Sequence, residues 1–212
     1  MKYVPIVITG PIGAGKSTLA RMISKHLAID YVKEYIDIND GEEMLLKFKA
    51  NSISSQDFQE YILQTYKSQL MHVKGNAFVM ERLPEEGSII FSNSDKSILE
   101  RVVQVQEEFD IYGYKGEATV LTIHNSGQST EMIMNEVLCT LFGTKHVSRE
   151  MLIYLKSLNG IIIYLRTTPE MCIERIRRRN RFAEKSITLD DMKEMCKKYD
   201  TYINSFKNYY IQ

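Results

Sequence analysis

A glycine-rich segment near the amino terminus has the residue types and spacing of a phosphate-binding loop. Residues 10–17 read GPIGAGKS, which fits the pattern G-x-x-x-x-G-K-[ST]. Glycines permit positive φ angles and a close approach, so successive backbone N–H groups can point at one anion, and a following helix adds partial positive charge. The pattern predicts binding of a nucleoside triphosphate. The residues expected to bind it are Gly10, Gly13, Ala14, Gly15, Lys16, Ser17 and Thr18.

Two residues of this loop have distinct expected roles. Lys16 would reach the β- and γ-phosphates, and the Ser17 hydroxyl would bind the Mg²⁺ carried by the nucleotide. A chance glycine-rich turn is the alternative interpretation. The flanking sequence favours phosphate binding, because Val4–Thr9 reads as a buried strand and the apolar residues after the loop have helical spacing.

Charged side chains follow two further predicted strands. Short apolar runs at 30–33, 77–80 and 161–165, separated by helical stretches, indicate a parallel sheet. Glu34 comes directly after the first run, and Glu81 with Arg82 follows the second. Since ligands bind beyond the carboxyl ends of parallel strands, these side chains can converge on the phosphate loop. The alternatives are an exposed acid at Glu34 and a local ion pair between Glu81 and Arg82.

Five arginines lie at the end of another predicted helix, which begins with Thr168 and Pro169. Two of them, Arg175 and Arg179, are four residues apart and share one helix face. The cluster could supply cations to bound phosphates, or it could be a solvated face or an RNA contact. RNA binding fits poorly with zero net charge and with the lack of aromatic residues among the basic ones. The five residues are Arg175, Arg177, Arg178, Arg179 and Arg181.

The whole chain is balanced in charge. Its 212 residues include 27 basic and 27 acidic side chains, so it lacks the net positive charge that favours non-specific binding to nucleic acids or membrane surfaces. No apolar run approaches the length of a membrane span, and residues 1–9 do not resemble a signal peptide. The three cysteines are widely spaced, which is typical of reduced thiols. We therefore expect a cytoplasmic protein without nucleic-acid or membrane partners.

The predicted elements indicate an α/β fold, with a doubly wound parallel sheet of four to five strands and helices on both faces. A chain of this length can bury its own core, so we expect a single domain. Residues 110–147 read differently, with a strand at 118–123, a polar turn, and a helix at 129–142 that ends at Gly143. We interpret this segment as an insertion, because it is too short to bury a core alone.

Further segments, taken in order with the loop, resemble the deoxyribonucleoside kinase family. Residues 31–34 (YVKE) look like the end of the family's second strand, and residues 57–61 (DFQEY) are similar to its Phe-Gln-x-Tyr segment. Residues 80–82 (MER) resemble its Glu-Arg-Ser motif, and residues 164–181 resemble its fourth strand and arginine lid. Members of this family transfer the γ-phosphate of ATP to the 5′-hydroxyl of a deoxynucleoside. The resemblance thus implies a P-loop kinase fold, dependence on ATP and Mg²⁺, and a homodimer.

The resemblance also implies roles for residues at the matching positions. Glu34 would act as the general base on the 5′-hydroxyl, and Arg82 would hold the phosphoryl group together with Lys16. Glu81 would support Mg²⁺ beside Ser17. A lid at about 175–187 would contact ATP through Arg175, Arg179 and Arg181.

The resemblance also implies an acceptor pocket formed by six residues of this chain. Gln59 would make paired hydrogen bonds to the nucleobase, and Glu184 would bind the sugar 3′-hydroxyl. Phe58 and Tyr66 lie on the apolar stripe of a predicted helix, so they could instead belong to the core. The full expected set is Phe48, Phe58, Gln59, Tyr66, Arg82 and Glu184.

The chain departs from the family pattern at several positions. Phe48 replaces a tyrosine that shares the 3′-hydroxyl, so that contact would fall to Glu184 alone. Tyr66 and Gly87 stand where members preferring deoxycytidine carry an arginine and an aspartate, which favours thymidine or a broad pyrimidine range. After the last helix, residues 208–211 are the only candidate for a further strand, and we expect no adenine-contacting loop there.

Two other functions remain open from the sequence. A nucleoside monophosphate kinase of the thymidylate type shares the fold, the loop and the arginine lid, but it needs an arginine for the acceptor phosphate where this chain has Glu34. A nucleotide-binding module without transfer chemistry is the second alternative. A deoxynucleoside kinase is the interpretation that the combined motifs favour.

Overall fold

Parallel strands form one sheet at the centre of the protein. A computed structural model describes residues 4–75, 77–91, 96–109, 119–147, 160–206 and 209–210. The strand order is β2-β3-β1-β5-β4-β6, and every neighbouring pair is parallel. The strands are β1 (Val4–Thr9), β2 (Asp30–Val32), β3 (Ala77–Glu81), β4 (Thr119–Asn125), β5 (Ile161–Thr167) and β6 (Tyr209–Tyr210). The α/β prediction is confirmed, and a two-residue edge strand joins the five longer ones.

Helices connect the strands, and four of them begin at a capping side chain. The N-cap residues Ser54, Ser129, Thr168 and Thr188 each accept a hydrogen bond from a backbone N–H in the first turn, which otherwise has no partner there. Of the described helices, none combines the length and apolar character needed to cross a bilayer. The α-helices of the described residues are α1 (Lys16–Leu27), α2 (Gly41–Lys49), α3 (Ser55–Leu70), α4 (Lys96–Glu108), α5 (Thr130–Phe142), α6 (Pro169–Arg179) and α7 (Leu189–Asn204).

Alternation along the strands divides the core between the two faces of the sheet. In β1, Ile6 and Ile8 belong to one apolar cluster, whereas Val7 belongs to the other. The first cluster includes residues of α1 and α5, and the second includes residues of α3 and α7. Because successive side chains of a strand point to opposite faces, a central strand covered by helices on both sides must be apolar throughout.

The segment interpreted as an insertion supplies part of this common core. Strand β4 pairs with β5 over seven residues, from Thr119 opposite Ile161 to Asn125 opposite Thr167. Helix α5 buries its apolar side in the same cluster as α1. Residues 110–118 lie outside the described part of the chain, and the interpretation as an insertion stays a prediction.

Candidate active site

A cleft of about 1290 Å³ opens at the carboxyl ends of the parallel strands. Nearly all residues proposed from the sequence line it, although they come from distant parts of the chain. Gly10 and Glu81 do not belong to the lining, but both contact residues that do. The predicted residues in the lining are Gly13, Ala14, Gly15, Lys16, Ser17, Thr18, Glu34, Phe48, Phe58, Gln59, Tyr66, Arg82, Arg175, Arg179, Arg181 and Glu184.

The phosphate loop adopts the conformation that its glycines allow. Gly13 has φ +83°, and a Cβ there would lie 2.6 Å from the carbonyl oxygen of Cys172. The backbone angle and this close approach both require glycine. Lys16 crosses the loop and donates from Nζ to the carbonyls of Gly10 and Pro11, at 3.0 and 2.9 Å. Burial and the nearby Arg82 charge lower the pKa of Lys16 to about 8.

Ser17 and Glu81 meet at the start of α1. The Ser17 hydroxyl donates to Glu81 Oε2 at 2.7 Å, and the hydroxyl of Tyr31 donates to Oε1 of the same carboxylate. Burial, together with the charge of Glu34, raises the pKa of Glu81. An alcohol and a carboxylate oxygen side by side suit Mg²⁺, which prefers hard oxygen ligands.

Glu34 and Arg82 form an ion pair at the ends of β2 and β3. Arg82 Nε donates to Glu34 Oε1 at 2.7 Å, and only 16% of the Glu34 side chain is exposed. Burial alone would raise the pKa of Glu34, but the charges of Arg82 and Lys16 outweigh it and lower that pKa. Glu34 is therefore not the exposed acid of the alternative interpretation. Arg82 pairs with Glu34 rather than with its neighbour Glu81.

The backbone of Arg82 is itself unusual. Its φ is +63°, in the left-handed region that costs a non-glycine residue about 1–2 kcal/mol. Such a conformation persists only where surrounding contacts determine it, and it is often found at functional sites. This conformation accompanies the turn of the Arg82 side chain from the end of β3 towards Glu34.

Sequence reasoning missed several residues around Arg82 and Glu81. Tyr31, Glu86 and Tyr199 all make hydrogen bonds there. Glu86 lies four residues after Arg82, a spacing that could have suggested a pair on one helical turn. Tyr199 lies on α7, and nothing in its local sequence indicates a polar partner.

The acceptor side of the cleft contains stacked aromatic rings and one buried amide. Phe48 and Phe58 stack with centroids 4.6 Å apart and planes 8° from parallel. Gln59 is 4% exposed and donates from Nε2 to the carbonyl of Gly87 at 3.5 Å. A Cβ on Gly87 would lie 2.4 Å from Gln59 Oε1, so this arrangement requires glycine or movement of the amide. Tyr66 is buried and donates to the carbonyl of Glu81 at 2.8 Å, so it contributes to both core and cleft.

The predicted lid arginines divide between the two sides of the cleft. Arg179 pairs with Glu184, and Arg181 pairs with both Glu184 and Asp37. Glu184 is buried. Because glutamate is a charged residue type, the sequence alone gave no indication of this burial. ATP binding by Arg179 and Arg181 stays a prediction, because in this state they contact carboxylates of the acceptor side.

Arg175 instead contacts the phosphate loop. Its Nη1 donates to the carbonyls of Gly13 and Ala14, at 3.3 and 3.2 Å, and its Nη2 donates to Asn125 Oδ1 at 3.3 Å. Asn125 in turn donates to the Ala14 carbonyl at 3.0 Å. The end of β4 and helix α6 therefore both support the loop, and the sequence analysis did not identify Asn125.

A further carboxyl group, that of Glu85, is buried beside the site, and its titration makes the stability of the fold depend on pH. It accepts hydrogen bonds from the Tyr202 hydroxyl at 2.9 Å and from Gln106 Nε2 at 2.8 Å. Burial raises the pKa of Glu85 to about 7 in spite of these bonds. Because the folded-state pKa exceeds the unfolded value, the native state binds the additional proton, and stability falls as pH rises through this window.

We expect Glu85→Gln to remove much of that decline. From about pH 4.5 to 7 the free energy of unfolding of the wild type should fall by about 3 kcal/mol relative to that of the variant. This is the free energy that corresponds to the rise in the pKa of Glu85. Denaturant unfolding at several pH values measures this difference. Glu60→Gln, at a carboxylate that pairs with Arg101 on the surface, is the control. Equal pH slopes for wild type and Glu85→Gln would contradict the prediction.

Comparison with known proteins finds a family match along nearly the whole chain. Residues 6–129 and 128–211 match the family model described as deoxynucleoside kinase. The thymidine kinase of Ictalurid herpesvirus 1 (strain Auburn) is 22% identical over 205 residues, covering 93% of this chain and 73% of that protein.

Solved structures of deoxyadenosine kinase from M. mycoides share the fold. The structure with the products dCMP and dCDP has a TM-score of 0.57 and 19% identity, covering 99% of this chain and 90% of the other. The structure with dCTP has a TM-score of 0.54 and 22% identity, covering 98% and 89%. Since the family match extends through nearly the entire sequence, this chain belongs to the deoxynucleoside kinase family and is a kinase.

Proposed function

We propose that this kinase transfers the γ-phosphate of ATP to the 5′-hydroxyl of a deoxynucleoside. The observation that carries the proposal is the Glu34 carboxylate, held by Arg82 in the same cleft as the phosphate loop. A hydroxyl nucleophile needs a carboxylate within hydrogen-bond reach, whereas a phosphate acceptor needs a cation at that place. The position of Glu34 therefore favours an alcohol acceptor over the monophosphate of a thymidylate-type kinase.

In the proposed reaction, Glu34 takes the proton of the 5′-hydroxyl as its oxygen bonds to the γ-phosphorus. The bond from that phosphorus to the β-phosphate oxygen breaks, and ADP leaves. The lowered pKa of Glu34 keeps it ionised near neutral pH, as a base must be. Within the described residues, no donor contacts Glu34 Oε2, so this oxygen can accept from the substrate.

Cations around the transferred group would stabilise the transition state. Phosphoryl transfer spreads charge over the equatorial oxygens, so positioned cations matter most. The phosphates would replace the carbonyls of Gly10 and Pro11 as partners of Lys16. Arg82 lines the same cleft as the loop, and its charge lowers the pKa of Lys16, so both cations can contact the same group.

Mg²⁺ would be held by Ser17 and Glu81, whose oxygens already adjoin each other. When bound, it neutralises charge on the donor phosphates. The described residues contain no group of three His, Cys, Asp or Glu that could hold a metal ion. Nucleotide phosphates and water would therefore complete its coordination, as is usual for Mg²⁺.

The donor base would lie on the opposite side of the phosphate loop from Glu34. The loop between β4 and α5 lines the cleft there through Gly127, Gln128 and Ser129. Gln128 Oε1 accepts from the backbone N–H of Ser126 at 2.8 Å, which shapes the loop. This side of the cleft is thus formed by the segment interpreted as an insertion.

We propose a pyrimidine acceptor, with thymidine favoured. Tyr66 and Gly87 offer no charged pair to the amino group of cytosine, while Gln59 can form paired hydrogen bonds with a base. The herpesvirus relative is named a thymidine kinase, whereas the M. mycoides structures of deoxyadenosine kinase contain dATP, dCTP or dCMP. The likeness to those structures concerns the fold.

A coupled ADP-release assay with five acceptors tests the function. Thymidine should give the highest turnover, deoxycytidine a lower one, and deoxyadenosine and deoxyguanosine the lowest. Fast turnover with thymidine monophosphate alone would favour the monophosphate kinase. ATP binding without acceptor-dependent ADP release would favour a non-catalytic module.

Gln59→Ala tests recognition of the base. We expect the KM for thymidine to rise by about tenfold or more, because a site built to hydrogen-bond its substrate loses both contacts. The KM for ATP should change by less than about twofold, since Gln59 lies on the acceptor side. Steady-state kinetics with each substrate varied in turn measures both constants.

The matched control for this variant is Gln64→Ala on the same helix. Gln64 is exposed and contacts Glu60 at the surface. Equal increases in both KM values for Gln59→Ala would argue against base recognition.

The resemblance to the family also leads us to propose a homodimer in the cytoplasm. Light scattering on the purified chain tests the dimer, and microscopy of a tagged chain in its host cell tests the location. A monomer at micromolar concentration would contradict the first proposal.

A further inference from the structure

A buried carboxylate and a phenol lie behind Arg82, on the side away from Glu34. Glu86 is fully buried and accepts from the backbone N–H of Leu83 at 2.8 Å through Oε1. Its Oε2 accepts from the hydroxyl of Tyr199 at 3.0 Å and lies 3.7 Å from Arg82 Nη1. The Tyr199 hydroxyl also accepts from Arg82 Nη1. None of the chemistry proposed above uses these two groups.

The contacts divide the donors of the Arg82 guanidinium among different partners. Nε donates to Glu34, and Nη1 donates to Tyr199. Within the described residues, Nη2 has no acceptor. Because the guanidinium is planar and rigid, two fixed N–H directions also determine the direction of the third.

The division matters because an arginine beside a carboxylate tends to pair with both oxygens. Bidentate pairing would occupy Glu34 Oε2, the oxygen that must accept from the substrate. Side-on pairing through Nε and Nη2 would require the guanidinium to turn in its plane, and the contact of Nη1 with Tyr199 opposes that turn. Arg82 therefore contacts only Oε1 of Glu34. Glu86 supplies a second negative charge on the far side of the same guanidinium.

We propose that Glu86 and Tyr199 are positioning residues, which hold Arg82 so that it engages one oxygen of Glu34 and turns Nη2 towards the transferred phosphoryl group. This inference rests on the proposed function. It specifies how Glu34 stays available as the base while Arg82 contacts the phosphoryl group. Neither Glu86 nor Tyr199 would touch the substrate.

A neighbouring carboxylate and phenol form a matched pair, whose hydroxyl group donates to the carboxylate and, within the described residues, is not seen to donate to Arg82. Glu85 adjoins Glu86 in sequence, and Tyr202 lies one turn after Tyr199 on α7. The Tyr202 hydroxyl donates to Glu85 Oε1 at 2.9 Å, and both residues are buried. Loss of a buried hydroxyl can therefore be compared at two positions that differ in their connection to Arg82.

The experiment compares Tyr199→Phe with Tyr202→Phe in the full-length protein. We expect Tyr199→Phe to lower kcat by about tenfold while both KM values stay within about twofold, since the misplaced group acts in the transition state. Tyr202→Phe should leave kcat within about twofold of wild type. Glu86→Gln should also lower kcat, by about tenfold or more, whereas Glu85→Gln should not.

A readout independent of turnover completes the test. Hydrogen exchange of the Arg82 Nε–H, followed by ¹⁵N NMR, should accelerate in Tyr199→Phe and stay at the wild-type rate in Tyr202→Phe. Equal kcat and equal exchange rates in the two variants would overturn the positioning role. Absence of acceptor-dependent turnover in the wild type would overturn the proposed function instead, and the exchange measurement would still decide whether Tyr199 orders Arg82.

Discussion

Glu34→Gln is expected to lower turnover with a deoxynucleoside acceptor at least tenfold, because general base catalysis contributes a factor of about 10²–10⁴. Glutamine preserves the size of the side chain and can still accept from Arg82 Nε, but it cannot take the proton of the 5′-hydroxyl. ATP affinity should stay within about threefold, because the phosphate loop itself is unchanged. Coupled ADP release measures turnover, and calorimetry without acceptor measures ATP binding.

Glu60→Gln provides the matched control for this substitution. Glu60 is a carboxylate on α3 that pairs with Arg101 at the surface and does not line the cleft. Its replacement should leave both measurements unchanged. Near-normal turnover of Glu34→Gln would remove Glu34 as the base, and with it the main argument for an alcohol acceptor.

Arg82→Lys is expected to have a larger effect, a loss of turnover of about 10³-fold. A lysine ammonium is a point charge on a flexible stem, so it cannot contact Glu34, the Tyr199 hydroxyl and the phosphoryl group at the same time. The KM for ATP should rise by less than about tenfold, since Lys16 and the loop N–H groups hold the phosphates. Single-turnover kinetics with saturating substrates separates chemistry from binding.

Stability must be measured for the same variant, because Arg82 is buried between two carboxylates. Thermal unfolding of Arg82→Lys should be compared with Arg101→Lys, which alters an exposed ion pair. The double variant that combines Arg82→Lys with Glu34→Gln should lose less turnover than the product of the two single-variant losses, because the two groups act together. An ATP affinity that falls by the same factor as turnover would mean that Arg82 acts in binding rather than in transfer.

Local signals in the sequence were sufficient for the phosphate loop and its setting. The string at residues 10–17 follows a continuous apolar strand and opens an amphipathic helix, and the structure confirms β1 and α1 on either side. The loop and its flanking elements depend on residues close in sequence. Glycines adopt the backbone angles of the loop, and apolar residues recur at the spacing of the strand and the helix. The position of Glu34 at a strand end followed from the general rule for parallel sheets.

Partners of the buried charges could not be predicted in the same way. The sequence suggested a local pair of Glu81 and Arg82 as one alternative, yet Glu81 binds Ser17 and Tyr31, and Arg82 binds Glu34. These partners come from α1 and from β2 with the residues just after it, far from Glu81 and Arg82 in sequence. A polar residue after a strand can turn to either neighbour, and only the packing around it selects one.

The strand at 119–125 shows that the order of strands in the sheet could not be predicted from the sequence either. Its composition predicted a strand, and the structure confirms β4. Its place between β5 and β6, and the contact of Asn125 with the phosphate loop, depend on pairing with residues about forty and about ninety positions later. Sequence spacing carries no signal for that register.

The amino-acid sequence by itself determined the triphosphate loop, the continuous apolar runs of the strands and the charged residues that follow them, since each depends on near neighbours along the chain. Tertiary structure alone decided that Glu34 keeps one oxygen free of Arg82, and that Glu86 and Tyr199 lie behind that arginine. The physical reason is that buried charges choose partners by desolvation and geometry, which only the packed fold supplies.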